Sequence, residues 1–267
     1  MIGNYRKFTG IKEIDIVSLS AKIGIEYNGL YWHSSLFKDK NYHLNKTNMM
    51  NGYGFRLIHI FEDEWVENKE IVKSMILHAF GKTKNQIYAR KCQIVDVSSK
   101  EACKFLSENH IQGKVGASIR LGLRYDDKLV SLMMFGCNRL SLGGTRKEGE
   151  WELVRFCSLL NCNVIGGASK LFKHFISMVS PKRVTSYCDL RFGTGKLYDM
   201  LGFELHSQSK PNYFYIDGMK RLHRYSFAKH KLVQKGYSVD LTESQIAAEN
   251  GYLKIYDCGN KKYIWSV

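Results

Sequence analysis

Polar and apolar positions along this chain follow two periods, and the switches between them outline its elements. Residues 13–19 (EIDIVSL) and 22–28 (KIGIEYN) alternate with period two and lie close enough to pair as a hairpin. Residues 37–53 suit a helix, and 55–61 (FRLIHIF) is a nearly continuous apolar run of the kind a buried strand requires. Residues 63–80 set Trp65, Ile71, Val72, Met75, Ile76 and Phe80 at helical spacing, with Gly81 as the stop. The polar stretch 81–86 reads as a joint. Beyond it the pattern predicts a strand over 87–97, a helix over 99–109 with Ser98 or Ser99 as N-cap, and a hairpin of 118–125 with 128–137 around Asp126-Asp127. A strand over 150–158, a helix over 168–179, a strand over 183–189, a short helix over 195–201 and a strand over 212–216 follow. The last stretch, 219–267, reads as a basic segment holding a capped helix at 242–249 and a strand at 252–256. The fold class is α/β (α+β), organised as a small mixed-sheet domain over 1–84, a second domain over 85–218 and a basic C-terminal segment over 219–267.

Composition narrows the classes. Of the 267 residues 44% are hydrophobic and 13% aromatic, enough apolar surface for packed cores. No run of about 18 apolar residues exists, so a membrane span is not expected. The first residues lack an apolar stretch with a small-residue cleavage site, which points to the cytoplasm. Seven cysteines without a CxxC pair read as reduced thiols and give no structural zinc site. Forty Lys and Arg against 25 Asp and Glu leave a net charge of +15, the balance of a protein that meets a polyanion. The excess is uneven: residues 1–87 hold 12 basic and 9 acidic side chains, residues 88–267 hold 28 and 16.

Two constellations carry candidate chemistry. In the first segment Glu13 and Asp15 share one face of a strand, and Glu26 ends an otherwise apolar neighbour. A carboxylate in that setting is costly unless paired or bound to metal, and two facing carboxylates form a hard oxygen site suited to Mg2+. His33 follows a glycine turn, and His43 and Lys46 share a helix face at i, i+3. Such a set can hold a metal, orient a water and neutralise a phosphate. The same acids on short strands also fit a solvent-facing role, and His33 beside Trp32 fits a packed surface pair.

Asp15, IGIEYNGLYWHS over 23–34, His43, Lys46 and GFRLIHIFEDEW over 54–65 resemble the PD-(D/E)xK nucleases, in the branch of very-short-patch repair and phage homing endonucleases. The resemblance implies a restriction-endonuclease-like domain in which Asp15 and Glu26 bind Mg2+, His33 assists the attacking water or leaving group, and His43 and Lys46 support it. Asn28 stands where the motif has lysine. The whole chain, including the ending IYDCGNKKYIW, resembles phage-encoded proteins described as homing endonucleases, which implies a host-cell cytoplasmic location.

In the second segment a strand, WELVRFC over 151–157, is followed by Asn163-Val-Ile-Gly166-Gly167-Ala168 opening a helix, and LYDMLGF over 197–203 closes a short helix into a strand. Glycines at a helix start let backbone N–H groups approach a pyrophosphate. This pairing resembles the GNAT acetyltransferases and the GNAT-like phage adenine-modifying enzymes. The resemblance implies acetyl-CoA held at Asn163, Gly166, Gly167 and Ala168, with Tyr198 as the acid for the leaving thiolate. Asn163 replaces the usual Gln or Arg. The alternative use of the glycines is tight strand–helix packing, with Tyr198 in the core and the domain serving as a DNA-reading scaffold. Arg120, Arg124, Arg139, Arg146, Lys147, Arg155 and Arg191 supply cations to such a scaffold.

In the tail Lys220, Arg221, Arg224, Lys229, Lys231 and Lys235 run without an acid from 219 to 236, interleaved with Tyr225 and Phe227, a pattern that fits contact with DNA phosphates. The first reading is a Mg2+-dependent homing-type endonuclease that hydrolyses double-stranded DNA, with a dimer or two successive nicks needed for a double-strand break. Two others stand beside it: a GNAT-type acyl-CoA-dependent DNA-modifying transferase, and an inactive DNA-binding protein.

Overall fold

A computed structural model describes residues 1–5, 13–137 and 147–267. In chain order its elements are β1 (Ile2–Tyr5), β2 (Ile14–Ser18), β3 (Ile23–Asn28), α1 (Tyr42–Gly52), β4 (Arg56–Phe61), α2 (Glu62–Glu67), α3 (Lys69–Ala79), β5 (Asn85–Tyr88), β6 (Gln93–Asp96), α4 (Ser99–Asn109), β7 (Ile119–Tyr125) and β8 (Lys128–Gly136). Then come β9 (Glu150–Ser158), β10 (Cys162–Ile165), α5 (Gly167–Val179), β11 (Arg183–Asp189), α6 (Lys196–Met200), β12 (Glu204–Gln208), β13 (Tyr213–Asp217), β14 (Lys220–His223), α7 (Lys229–Gln234), α8 (Glu243–Glu249), β15 (Leu253–Tyr256) and β16 (Asn260–Ser266). The mixed α/β class expected from the pattern is present. The chain gathers into two compact units, one of residues 1–67, 189–192 and 209–260, the other of 68–188, 193–208 and 261–267. The expected cuts after 84 and 218 fall elsewhere, because the chain returns to the first unit twice.

The first unit holds a sheet of order β1-β2-β3-β4, antiparallel except for the parallel pair β3–β4, which α1 connects. Ile14, Val17, Met50, Phe55 and Leu57 form its core. At Gly24 a side chain would sit 3.0 Å from Leu57 and 3.2 Å from Met50, so glycine there lets α1 close onto the sheet. The helix expected over 37–53 begins only at Tyr42. Asp39 Oδ1 instead accepts the Asn41 N–H at 2.7 Å, a local bond that competes with helix. A three-stranded antiparallel sheet, β14-β13-β15, packs Tyr215 with Phe227, Leu232, Ile246 and Ala247 from the segment around α7 and α8. The capping box at α8 is as the spacing predicts: Gln245 N–H donates to Thr242 Oγ1 at 3.3 Å and Thr242 N–H to Gln245 Oε1 at 2.8 Å.

A buried ion network ties this unit's distant segments together. Glu64 on α2 accepts Arg191 Nη1 at 2.7 Å and Arg221 Nη2 at 2.7 Å. Arg191 also reaches Asp189 at 2.9 Å, and Arg221 reaches Asp63 at 2.9 Å. Arg221 lies 4.1 Å from the centre of the Phe61 ring. Arg191 and Arg221, expected to face DNA, are therefore internal ligands of carboxylates.

The second unit is built on a seven-stranded sheet of order β12-β16-β11-β9-β8-β7-β6. The hairpin β7–β8 turns at Asp126 and Asp127, both at positive φ, as a tight two-residue turn demands. Helix α5 packs Leu171, Phe172 and Phe175 on one face, with Phe175 stacked on Phe135 at 3.5 Å. Three expectations change here. The helix over 63–80 is two, broken at Asn68, whose backbone is not helical. The strand over 87–97 is split into β5 and β6 by a 3-10 turn over Ala89–Lys91. The basic segment is not a separate tail, since its residues up to 260 complete the first unit and β16 enters the second unit's sheet.

Burial opposes ionisation of Glu64, but Arg191 and Arg221 outweigh it and hold the carboxyl at about 2. Its contribution is then present above the ordinary carboxyl range and is lost as pH falls towards 2. Glu64→Ala leaves two buried guanidiniums without their shared partner and is expected to cost about 3–5 kcal/mol, read as a drop in urea midpoint at neutral pH.

Candidate functional site

The residues singled out in the first segment do meet, at the ends of β2, β3 and α1. Glu26 is 3% exposed, on a strand that lies between β2 and β4. Lys46 on α1 donates to Glu26 Oε1. Burial first, and Asp15 after it, push the Glu26 carboxyl up to about 7 against the opposing pull of Lys46. Asp15 Oδ2 accepts the Tyr27 N–H at 2.7 Å. His33 Nδ1 and His43 Nε2 lie 3.0 Å apart, and burial pushes the two rings down to about 4 and about 3, so both are neutral at pH 7.

Below them is a relay that the sequence reading missed. Asn28 Nδ2 lies 3.4 Å from His59 Nδ1, His59 Nε2 lies 2.8 Å from Thr47 Oγ1, and Thr47 lies 3.5 Å from Cys258 Sγ. The amide can only donate to the ring, which makes Nδ1 the acceptor and Nε2–H the donor to Thr47. A histidine inside the apolar run FRLIHIF was the available signal. The cluster is only partly satisfied, since Glu26 Oε2 and Asn28 Oδ1 are buried without a hydrogen-bond partner. Glu26 is taken by an ammonium and Asp15 by a backbone amide, and among the described residues no group of three or more His, Cys, Asp or Glu side chains is placed to hold a metal ion.

The second candidate site lies in the other unit. Strands β9 and β11 are parallel and pair only over Glu150–Glu152 with Arg183–Thr185. Beyond those residues β9 continues to Ser158 and β11 to Asp189, so the two form a fork. At its base Ser186 Oγ lies 2.8 Å from the Leu153 carbonyl and 3.2 Å from the Tyr198 hydroxyl. Tyr198 donates to the Tyr187 carbonyl at 3.0 Å and stacks on Tyr263 at 4.6 Å. Burial pushes its phenol up to about 12, against the pull of the Ser186 hydrogen bond.

Asn163 lies on β10, which pairs in parallel with β5, and Gly166, Gly167 and Ala168 open α5. Gly166 has φ +77°, and a side chain at Gly167 would sit 3.0 Å from Val164. Glycine is thus required for conformation at the first position and for packing at the second. Helix α5 starts with no side-chain cap and no acid in its first turn. Beside that start is a cavity of about 380 Å3 lined by Tyr88, Ala89, Arg90, Ile165, Gly166 and Lys170. Lys170 Nζ ties the 3-10 turn to α5 by donating to the Ala89 and Cys92 carbonyls at 2.9 and 2.6 Å. Arg90, exposed on that turn, lies 5.1 Å from the centre of the Tyr88 ring. Neither Arg90 nor Lys170 stood out in the sequence, since their segments meet only through the β5–β10 pair.

The expected DNA-facing cations fare unevenly. Arg120 is spent on the Val97 and Ala117 carbonyls, Arg124 on Glu101, and Arg155 donates to the Val154 carbonyl. Lys220 pairs with Glu67 at 2.7 Å and Lys231 lies 3.7 Å from the centre of the Tyr225 ring. Arg224, Lys229 and Lys235 are exposed, as is Lys147; Arg139 and Arg146 lie outside the described residues. By unit, the first holds 17 basic and 14 acidic residues and the second 23 and 11, so most of the positive excess belongs to the second.

No protein-family model matches the chain, and no curated protein does. Solved structures do. An acetyltransferase from Bacillus subtilis in complex with CoA is 12% identical, with a TM-score of 0.38, over 66% of this chain and 99% of that one. A Salmonella typhimurium acetyltransferase with its cofactor acetyl-CoA is 10% identical, with a TM-score of 0.38, over 66% and 94%. A ribosomal-protein-alanine N-acetyltransferase from Brucella melitensis is 10% identical, with a TM-score of 0.36, over 66% and 99%. The expectation of a Mg2+-dependent homing endonuclease, a phosphodiester hydrolase, is corrected at the site itself: Glu26 is closed on Lys46 and, among the described residues, no group of three or more His, Cys, Asp or Glu side chains is placed to hold a metal ion.

The raised Glu26 carboxyl binds its proton more tightly folded than unfolded. Its contribution to stability is therefore full below about 4.5 and falls as pH rises towards 7. Glu26→Gln is expected to gain stability on the wild type progressively across that window, measured as the difference in urea unfolding free energy at matched pH values. A difference that does not change with pH would show Glu26 ionising as it does in the unfolded chain.

Proposed function

We propose that the second unit is an acyl-coenzyme A-dependent transferase acting on nucleic acid. The observation that carries the reading is the fork between β9 and β11. Parallel strands that part midway expose backbone N–H and C=O groups along a slot, and these groups require partners. A pantetheine arm, with an amide at each of two positions, is a ligand of that chemistry. The uncapped start of α5, with Gly166 and Gly167, offers N–H groups for a pyrophosphate, and Arg90 supplies a charge there. Tyr88 offers a face for a base. The coenzyme would bring an acyl group activated as a thioester.

The chain's own residues supply the rest. Asn163, Gly166, Gly167 and Ala168 define the phosphate end, and Lys170 holds the 3-10 turn that carries Arg90. Tyr198, at the base of the fork, would hold a proton for a leaving thiolate. The nucleic-acid acceptor is supported by the surplus of basic residues in this unit, 23 against 11. An acceptor amine would attack the thioester carbonyl, forming an amide and losing its proton to solvent, while the thiolate takes the tyrosine proton.

Calorimetry should show saturable binding of acetyl-CoA, weakened at least tenfold in Arg90→Glu. Incubation of labelled acetyl-CoA with double-stranded DNA should transfer the label to DNA, and the transfer should weaken with added salt. Absence of both binding and transfer would overturn the proposal.

A further inference from the structure

Ser186 occupies a position with a consequence for the proposed reaction. It is 2% exposed and sits one residue past the last paired residue of β11, where the sheet ladder ends. Its hydroxyl has one proton and two acceptors within reach, the Leu153 carbonyl at 2.8 Å and the Tyr198 phenol oxygen at 3.2 Å. Tyr198, for its part, gives its proton to the Tyr187 carbonyl. In the resting arrangement the Ser186 proton therefore serves Leu153, whose carbonyl lost its ladder partner when the strands parted.

We propose that Ser186 is the positioning residue for Tyr198: its hydroxyl turns from the Leu153 carbonyl to the Tyr198 oxygen when Tyr198 gives up its proton. This rests on the acyltransferase reading for its setting. The step is balanced. The Tyr198 O–H bond breaks and the proton goes to the departing thiolate sulfur. The Ser186 O–H bond stays intact and only rotates, so the phenolate gains a donor within 3.2 Å and Leu153 gives one up. A hydrogen bond to a charged oxygen is roughly twice as strong as one to a neutral carbonyl, so the rotation follows the charge. The burial that pushes the phenol up to about 12 is opposed by this same Ser186 contact. Among the described residues no other side-chain hydroxyl hydrogen-bonds to the Tyr198 oxygen.

The experiment places a difluorotyrosine at position 198, whose more acidic phenol titrates in a range the fold tolerates, and follows its fluorine resonance with pH. The readout needs no coenzyme and no turnover. Ser186→Ala should raise the apparent pKa by about one unit, and Ser186→Thr should return it towards the wild-type value. Ser186→Cys, a weak donor of similar volume, should also raise it, which covers the case of an alanine variant that does not fold. In turnover, Ser186→Ala should lower kcat about tenfold with KM for acetyl-CoA within twofold. An unchanged fluorine titration in the folded alanine or cysteine variant overturns the role of Ser186. Failure of the wild type to bind acetyl-CoA with the titration moved as expected overturns the acyltransferase reading instead, so the two failures are distinct.

Discussion

A parallel strand pair that stops pairing partway creates an obligation. Every backbone N–H and C=O beyond the last rung needs a new partner, because a buried orphan costs about as much as a lost hydrogen bond. In the second unit the last rung joins Glu152 and Thr185. What lies around that point follows from the obligation. Ser186 answers the Leu153 carbonyl, Tyr198 answers the Tyr187 carbonyl, and Tyr263 packs under the phenol ring.

The first unit solves a different problem. Its two sheets are made from segments far apart in sequence, and Glu64 joins the 189–192 segment, α2 and β14 through two guanidiniums. A buried pair is often no better for stability than apolar packing, yet removing one member strands a charge. The network therefore acts as a register mark, since any other arrangement of these segments leaves a charge unpaired. It also uses two arginines that would otherwise count towards attraction of a polyanion.

The sequence was legible where its signals are local. The hairpin at Asp126-Asp127, the capping box of Thr242 and the helix after Gly166 rest on contacts within a few residues, and the run FRLIHIF announces itself by its own apolar content; all are present. The meeting of Asp15, Glu26, His33, His43 and Lys46 was also legible, because a strand–helix–strand unit brings those positions to one end. Their meaning was not. A carboxylate that faces a lysine and one that faces a metal give the same spacing, and only the Glu26–Lys46 contact separates them. Arg191, Arg221 and the tail were misjudged for a related reason. Cations in sequence say nothing about which carboxylates fold back to meet them. Ser186 and Arg90 stayed hidden because their roles arise from a strand pair ending early and from β5 joining β10 across more than seventy residues.

Strand β16 has an effect on the order of events. It occupies the sheet between β12 and β11, yet its residues are made after all the others described. Until Asn260–Ser266 arrives, β11 keeps an open edge next to the fork, and the Tyr263 ring is missing from beneath Tyr198. Completion of this sheet thereby waits for a strand made after every other strand in it, and until then the nascent chain carries an unfinished sheet that a foreign strand could enter.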